Sequence, residues 1–228
     1  MEFQERRQTP RGNSVEQLAQ RIRDGILRGR YAQGQRLIER DLIEETGFGR
    51  STVREAFGRL ASEGLVELVP NRGATVRRLS RQELLEHFQI RELLEGLAAR
   101  LAAVAASDPA QRAQALALHA QMVDDPQGGL AFRERELALH RLLTTLGSNA
   151  QLNRLLSRLH VPLSTAQVSQ TLSVEQLQRA HHARLDILRA VADAQPDAAE
   201  SAMRRHLRQV GDWMLEQPDS AFGARRGG

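Results

Sequence analysis

The sequence predicts a mainly α-helical protein of two domains, and three observations support that fold class. The chain has 228 residues, which is long enough for one large or two ordinary globular domains, each with its own core. Aromatic residues make up only 4% of it, while alanine, leucine, arginine, glutamine and glutamate are abundant, as is typical of helical proteins. Apolar residues recur mostly at helical spacing, and residues 65–76 change to the pattern of extended strands.

Positive charge is concentrated in the first third of the chain. Residues 1–80 carry 15 arginines and 11 acidic residues, whereas residues 81–228 carry 17 of each. All 32 basic residues are arginine, so the position of the charge is more informative than the high isoelectric point. A basic module joined to a neutral domain is typical of a nucleic-acid-binding protein, although a solvated charged face would produce the same bias.

The composition also excludes several classes of protein. The chain contains no cysteine, which excludes disulfide scaffolds, thiolate zinc sites and cysteine nucleophiles, so any metal would be held by histidine and carboxylate side chains. The N-terminal residues lack the apolar segment of a signal peptide, and no apolar run approaches the roughly 18 residues of a membrane span. We therefore expect a cytoplasmic protein with no membrane partner.

Three helices are predicted before residue 65. The first opens on a capping-box pattern from Ser14 to Gln17, and the second and third are closed by Gly47 and Gly64. The predicted ranges are 14–28, 39–46 and 50–63, and a flexible arm at 1–13 precedes them.

A β-hairpin follows these helices. Residues 65–76 alternate like two strands, with a turn at Pro70–Gly73. Helix, short helix, tight turn, helix and hairpin is the order of a winged helix-turn-helix with a small hairpin wing. We therefore assign residues 14–78 to a DNA-binding domain.

From Ser80 onward the pattern is helical almost to the end of the chain. Short stretches rich in proline, glycine and serine interrupt it and predict an all-α helical bundle at 81–217, followed by a flexible tail at 218–228. The six predicted helices span 81–106, 109–124, 130–147, 150–168, 174–194 and 196–216.

The start of the third helix carries the residue types that read DNA. Arg50, Ser51 and Arg54 lie within one helical turn and can share a face, so an arginine can pair with guanine while a hydroxyl bonds a phosphate. Arg40 on the preceding helix would meet the DNA backbone. At the hairpin tip, Arg72 suits the negative potential of the minor groove.

Four segments, in order and spacing, resemble the DNA-binding domain of the GntR family of transcription regulators. They are Glu39–Leu42, Gly49–Phe57, Leu60–Val66 and Asn71–Val76. The resemblance implies base and backbone contacts by arginines, phosphate contacts by hydroxyls, and a wing tip that enters the DNA. The residues so implied are Arg40, Arg50, Ser51, Thr52, Arg54, Arg72 and Gly73. Gly49 departs from the pattern, because the family often has a capping hydroxyl residue there.

Residues 81–217 resemble, more loosely, the helical ligand-binding domain (FCD type) of the FadR-like branch of that family. The segments Arg91–Ala99 and Leu139–Asn149 carry the resemblance, and six predicted helices rather than seven favour the VanR-like group. The resemblance implies effector binding and dimerisation. In many such domains an Asp and a His one turn apart, with two later His, bind a divalent metal such as zinc, nickel or manganese beside a carboxylate effector.

This chain keeps part of that ligand set. Glu136 and His140, at positions i and i+4, project from one helix face and can chelate one ion. His206 matches the last ligand. The ligand expected 22 residues earlier falls on Arg184, which cannot bind a metal because it stays protonated. His181, one turn before Arg184, is a further candidate from the same helix.

Three interpretations of these residues stay open at the level of sequence. One is a metal site rebuilt from Glu136 and the three histidines. The second is a metal-free pocket in which Arg184 binds the carboxylate effector directly and bidentately. The third is a structural polar core without an effector. Arg91 either lines the pocket or pairs with Glu95 on its own helix.

The function expected from these features is that of an effector-responsive transcriptional regulator, a repressor if it follows the common mode of the family. As a homodimer it would read a pseudo-palindromic operator in double-stranded DNA. A constitutive DNA-binding regulator without an effector is the main alternative. A metal-dependent helical enzyme is disfavoured, because the chain has no di-iron Glu-x-x-His motif, phosphate-binding glycine loop or G-x-S-x-G elbow.

Overall fold

The structure is a computed structural model that describes residues 11–27, 29–70, 72–123, 130–159 and 172–223. The first ten residues of the predicted arm, Asn71, the predicted helix beyond residue 159 and the tail beyond residue 223 lie outside these described residues. The fold is mainly helical, as the sequence predicts, and the chain divides into two compact units, one ending at Arg78 and one beginning at Leu79. None of the described helices is long and apolar enough to cross a membrane.

The first unit combines three helices with a small antiparallel sheet. Its elements are α1 (Arg11–Leu27), β1 (Arg36–Leu37), α2 (Glu39–Thr46), α3 (Arg50–Ser62), β2 (Val66–Val69) and β3 (Gly73–Val76). α1 packs against α3, where Leu18, Ile22, Phe57 and Leu60 are buried in the core. α2 ends at Gly47, whose φ of 72° turns the chain into α3 within three residues. The predicted winged helix-turn-helix is therefore confirmed.

The first helix starts earlier than the sequence predicts. α1 begins at Arg11, inside the predicted arm, rather than at Ser14. Because the helix already extends past Ser14, the backbone N–H of Gln17 has a helical carbonyl partner, and no capping side chain is needed there.

The wing contains a third strand that the sequence did not predict. β1 pairs with β3, with Arg36 opposite Thr75 and Leu37 opposite Ala74, so the strand order is β1-β3-β2. Two residues are too few to show a strand alternation.

Gly73 is required by this third strand. Its φ is 89°, and a Cβ at this position would lie 2.4 Å from the backbone oxygen of Leu37. Any side chain would therefore push β1 away from the start of β3. The need for glycine at the wing is thus explained by the sheet itself, independently of DNA.

The second unit is all-helical in its described part. Its helices are α4 (Arg81–Ala105), α5 (Pro109–Val123), α6 (Leu130–Gly147), α7 (Ala150–Leu159), α8 (Val174–Ala192) and α9 (Pro196–Leu215). α4 is the central helix and packs against α6, α7, α8 and α9. Capping boxes formed by Ser80 with Glu83 and by Ser173 with Gln176 fix the starts of α4 and α8.

The first six residues of the predicted flexible tail are folded onto this unit. A short 3-10 helix forms at Asp219–Ala221. Arg81 donates hydrogen bonds to the carbonyl oxygens of Leu215 and Gln217 and pairs with Asp219 at 2.8 Å. Its guanidinium also lies 4.2 Å from the centre of the Phe222 ring. The prediction of a flexible tail is wrong for residues 218–223. These residues are held by Arg81, which is far away in the sequence.

Candidate DNA-binding surface and effector site

The exposed face of α3 carries the arginines that the sequence predicts to read DNA. Arg50, Ser51 and Arg54 are exposed, whereas Val53 and Phe57 are buried in the core. Because residues two apart in a helix point about 200° apart, the exposed Ser51 and the buried Val53 lie on opposite faces of α3.

Thr52 differs from the other predicted DNA-binding residues of α3. Its side chain lies on the buried face of the helix and is only 8% exposed, so it offers a phosphate much less surface than Ser51 does. The sequence motif contained Thr52 but did not show which face of the helix it occupies.

As the sequence predicts, α3 has no side-chain cap, because the residue before it is Gly49. The helix begins directly after Gly49, and no side-chain hydrogen bond caps it. The first backbone N–H groups of a helix lack intrahelical acceptors, so a phosphate oxygen can accept from them.

The carboxylate of Glu39 on α2 pairs with the arginines of α3. Arg54 Nε lies 2.9 Å and 3.1 Å from the two carboxylate oxygens of Glu39, and Arg50 Nε lies 3.9 Å from one of them. The next residue along α2, Arg40, is largely exposed and lies near Asp41 and Glu44 at 3.7 Å and 3.8 Å. Exposed ion pairs are weak, so each guanidinium can exchange its carboxylate for a base or a phosphate.

The wing tip presents Arg72 to solvent and is supported from β1. The backbone N–H of Arg72 donates to the Val69 carbonyl at 2.9 Å, which closes the turn. The carbonyl of Arg72 accepts from Nε of Arg36 at 2.9 Å. Arg36 therefore fixes the base of the tip while the Arg72 side chain stays exposed.

In the second unit, the candidate site is a buried chain of ion pairs with His140 at its centre. Its Nε2 lies 3.0 Å from Oε1 of Glu136, one turn earlier on α6, and its Nδ1 lies 2.5 Å from Oε2 of Glu95 on α4. Nε2 shares a hydrogen bond with Glu136 and Nδ1 lies beside Glu95, so two carboxylates flank the ring and favour the charged imidazolium.

The charges of this cluster stabilise one another. Burial alone would lower the pKa of His140, but the carboxylates of Glu95 and Glu136 outweigh it and raise that pKa to about 9. Burial alone would raise the pKa of Glu136, yet the hydrogen bond from His140, the nearby His206 imidazole and the charges of His140 and Arg184 hold that pKa well below its usual range.

Arg184 completes the chain of ion pairs from α8. Its side chain is fully buried, with 0% exposure, and its Nη1 donates to Oε2 of Glu136 at 2.7 Å. The two oxygens of Glu136 are thus shared between an imidazolium and a guanidinium.

The remaining predicted residues lie around this cluster. Arg91 pairs with Glu95 through Nε at 2.6 Å, which is the second of the two roles expected for it. His181 is buried one turn before Arg184, and its ring packs edge-on against that of His182 with centroids 5.8 Å apart. Glu95 pairs with both Arg91 and His140. The i, i+4 spacing predicted its pair with Arg91, but nothing in the sequence indicated its pair with His140.

His206 connects the cluster to a surface cleft. Its Nε2 lies 3.7 Å from Oε1 of Glu136, too far for a hydrogen bond, and neither ring nitrogen has a hydrogen-bond partner among the described residues. The buried ring also lines a cleft of about 230 Å³ between α8 and α9. The cleft is formed by Ala183, Asp186, Ala202, Arg205, His206 and Gln209.

The arrangement of these side chains does not fit a divalent metal. Both oxygens of Glu136 and both nitrogens of His140 are already engaged, and a protonated imidazole has no lone pair for an ion. A dication placed about 4 Å from the Arg184 guanidinium would be repelled by about 8 kcal/mol at an effective dielectric constant of about 20. Among the described side chains, no group of three His, Asp or Glu residues has a metal-binding arrangement.

Two family models match the two units. The model described as "Bacterial regulatory proteins, gntR family" matches residues 14–76, and the FCD domain model matches residues 86–209. The chain belongs to the GntR family. As a GntR-family protein with an FCD domain it is a transcriptional regulator rather than an enzyme, as the sequence predicts.

Relatives of this GntR-family chain are named as repressors. A "probable D-xylose utilization operon transcriptional repressor" of Paenarthrobacter nicotinovorans is 29% identical, with 83% of this chain and 85% of the relative covered. The repressor RspR of Escherichia coli K12 is 28% identical, with 86% and 87% covered. The repressor NanR of Klebsiella aerogenes is 27% identical, with 90% and 86% covered.

Solved structures share the fold. McbR/YncC of E. coli has a TM-score of 0.74 at 20% identity, covering 86% of this chain and 94% of that one. A GntR regulator from Rhodococcus sp. RHA1 has a TM-score of 0.67 at 23% identity, covering 88% and 96%.

The exposed pair of Arg54 and Glu39 generates a first prediction. Arg54→Ala should weaken operator binding by about 1–3 kcal/mol and relax base preference, because it would remove the base contact that the sequence predicts for Arg54. Glu39→Gln should raise affinity for random DNA at low salt and reduce discrimination, because it removes a negative charge and frees Arg54 from its orientation. Fluorescence anisotropy with operator and random duplexes over a salt series measures both effects.

Arg59 provides the matched control for this prediction. It lies on the same helix but about 140° around from Arg54, where it pairs with Glu16 at 2.7 Å. Arg59→Ala should leave operator affinity within about 0.5 kcal/mol of wild type. An Arg54→Ala variant that binds as tightly as Arg59→Ala would remove Arg54 from the interface.

Proposed function

We propose that this protein is a DNA-binding transcriptional repressor whose operator affinity is controlled by a small carboxylate effector bound in the helical unit. Repression is supported by the names of the relatives, all three of which are repressors. DNA contact is assigned to Arg40, Arg50, Ser51, Arg54 and the Arg72 wing tip, since these side chains are exposed on the helix-turn-helix and its wing. Effector control rests on the second unit.

The observation that carries the effector proposal is the buried charge in that unit. Arg91, Glu95, Glu136, His140 and Arg184 are all buried, and each buried ion loses several kcal/mol of hydration. A bundle held together only by packing would be at least as stable with apolar residues there. With His140 protonated, these five side chains carry three positive and two negative charges, a balance that suits an anion.

His206 is the residue at which an effector would enter the buried cluster from the cleft. A buried imidazole whose nitrogens lack partners among the described residues costs free energy, and a ligand that bonds it recovers that cost. The adjoining cleft of about 230 Å³ is smaller than the roughly 300–1,000 Å³ of pockets for drug-sized ligands. It therefore suits a small metabolite, to which the cleft offers the guanidinium of Arg205 and the carboxylate of Asp186.

Binding at this cluster would act through the helices that it joins. The ion pairs tie α4, α6 and α8 together, and His206 adds α9. An effector that binds one arrangement of these helices more tightly than another shifts the population towards it. Operator affinity changes if the favoured arrangement disfavours DNA binding.

An operator-binding assay tests effector control. A duplex selected from random sequences serves as operator, and its affinity is measured by fluorescence anisotropy with small carboxylates such as acetate, lactate, succinate and citrate. At least one should weaken binding about tenfold or more. His206→Ala should keep basal operator affinity and lose the response, whereas the exposed control His182→Ala should keep both.

Two results would count against effector control. If no carboxylate changes operator affinity, the protein is a constitutive regulator. If His206→Ala responds like wild type, the effector does not use this cluster.

We further propose that the protein acts as a homodimer that pairs through α4. Ile90, Leu93, Leu97 and Val104 are 48%, 56%, 38% and 55% exposed, and they lie within about 60° of arc along about 21 Å of the helix. Such an apolar stripe suits a protein partner. An antiparallel two-fold crossing at Leu93 would bring Glu86 of one copy beside Arg100 of the other, where Glu86 would add to the ion pairs that Arg100 makes with Asp197 and Glu200 of its own chain.

Leu93→Glu should convert the dimer into a monomer, because two like charges would meet at its centre. Analytical ultracentrifugation at micromolar concentration measures this. Val174→Glu is the matched control and should stay dimeric, since Val174 is an exposed valine on α8. A monomeric wild type, or a Leu93→Glu variant as dimeric as the control, would contradict pairing through α4.

A further inference from the structure

We infer that the helical unit binds its anionic effector without a metal ion, because the guanidinium of Arg184 takes the place of the cation. The effector part of this inference rests on the proposed function. The exclusion of a metal does not, because it depends only on the side chains that surround Glu136.

The position of Arg184 carries the inference. Its guanidinium is fully buried and donates to Oε2 of Glu136 at 2.7 Å, while Oε1 of the same carboxylate lies 3.0 Å from His140 Nε2. Glu136 is the carboxylate that a metal bound near His140 and His206 would need as a ligand. The guanidinium therefore already neutralises the oxygen through which an ion would bind.

The chemistry of arginine makes the replacement of a metal ion by Arg184 permanent. A guanidinium stays protonated in proteins, so Arg184 can neither ligate a metal nor lose its charge to admit one. It can bind a carboxylate directly through its planar set of N–H donors. His206 lines the cleft, and its Nε2 lies 3.7 Å from Oε1 of Glu136, the carboxylate that Arg184 neutralises.

Restoring a metal site by one substitution is the sharpest test. Arg184→His removes the fixed charge and supplies a neutral nitrogen beside Glu136, His140 and His206, a ligand set that suits zinc or nickel. Untagged full-length wild type and variant are stripped with EDTA, incubated with equimolar zinc or nickel, desalted and analysed by mass spectrometry for metal content. Wild type should retain almost none, and Arg184→His about one ion per chain.

Two further variants locate the effect. Arg184→Lys keeps the charge and should retain no metal. Adding Glu136→Gln to Arg184→His should abolish retention, which places the ion in this cluster. Wild-type protein that holds about one ion per chain, and loses it in Glu136→Gln, would overturn the inference even if Arg184→His failed to fold.

The anion is tested separately, by thermal unfolding in EDTA with acetate, lactate, succinate or citrate. At least one should raise the melting temperature of wild type, and Arg184→Lys should weaken that rise, since lysine lacks the planar fork of donors. No stabilisation by any carboxylate would contradict anion binding. That result is distinguishable from metal retention, which would contradict the role of Arg184 as the cation.

Discussion

The ion pair between Arg184 and Glu136 is the interaction on which the helical unit depends. It joins α8 to α6 in a fully buried position, and His140 extends it to Glu95 on α4. Removing Glu136 would leave Arg184 buried without that carboxylate, which costs far more than a lost surface contact, whereas removing Arg184 would leave Glu136 with His140. The cluster therefore constrains how α4, α6 and α8 pack, and any ligand that alters it alters all three helices.

The DNA-binding unit uses the same residue types in the opposite way. Arg54 and Glu39 are linked at 2.9 Å but lie at the surface, where water and salt screen their attraction. Such a pair orients a guanidinium without trapping it, so DNA can replace the carboxylate. Burial thus decides whether an arginine is a permanent structural cation, as Arg184 is, or an exchangeable contact, as Arg54 is.

Helix positions were predictable because they depend on local pattern. The predicted helices at 81–106 and 196–216 correspond to Arg81–Ala105 and Pro196–Leu215, since long apolar periods end there at serine, glycine or proline. The adjacency of Glu136 and His140 followed from their i, i+4 spacing. The conflict between Arg184 and a metal site was also visible in the sequence, because arginine cannot ligate.

Contacts between residues distant in the chain were not predictable. Glu39 with Arg54, His140 with Glu95, and Arg81 with the folded tail each join elements whose meeting depends on tertiary packing. Strand β1 was too short for any periodic signal. Thr52 shows the limit of motif transfer, since a matching residue type lay on the buried face of α3.

A double-mutant cycle measures how strongly Arg184 and Glu136 are coupled in the folded helical unit. Urea unfolding of Arg184→Met, Glu136→Leu and the double variant measures their coupling. Glu136→Leu should destabilise the helical unit by about 3–5 kcal/mol, because it leaves Arg184 buried without that carboxylate. Arg184→Met should cost less, since His140 still bonds Glu136, and the double variant should lose much less than the sum. Losses that add to within about 0.5 kcal/mol would show that the two residues do not form a buried pair that holds α6 and α8 together.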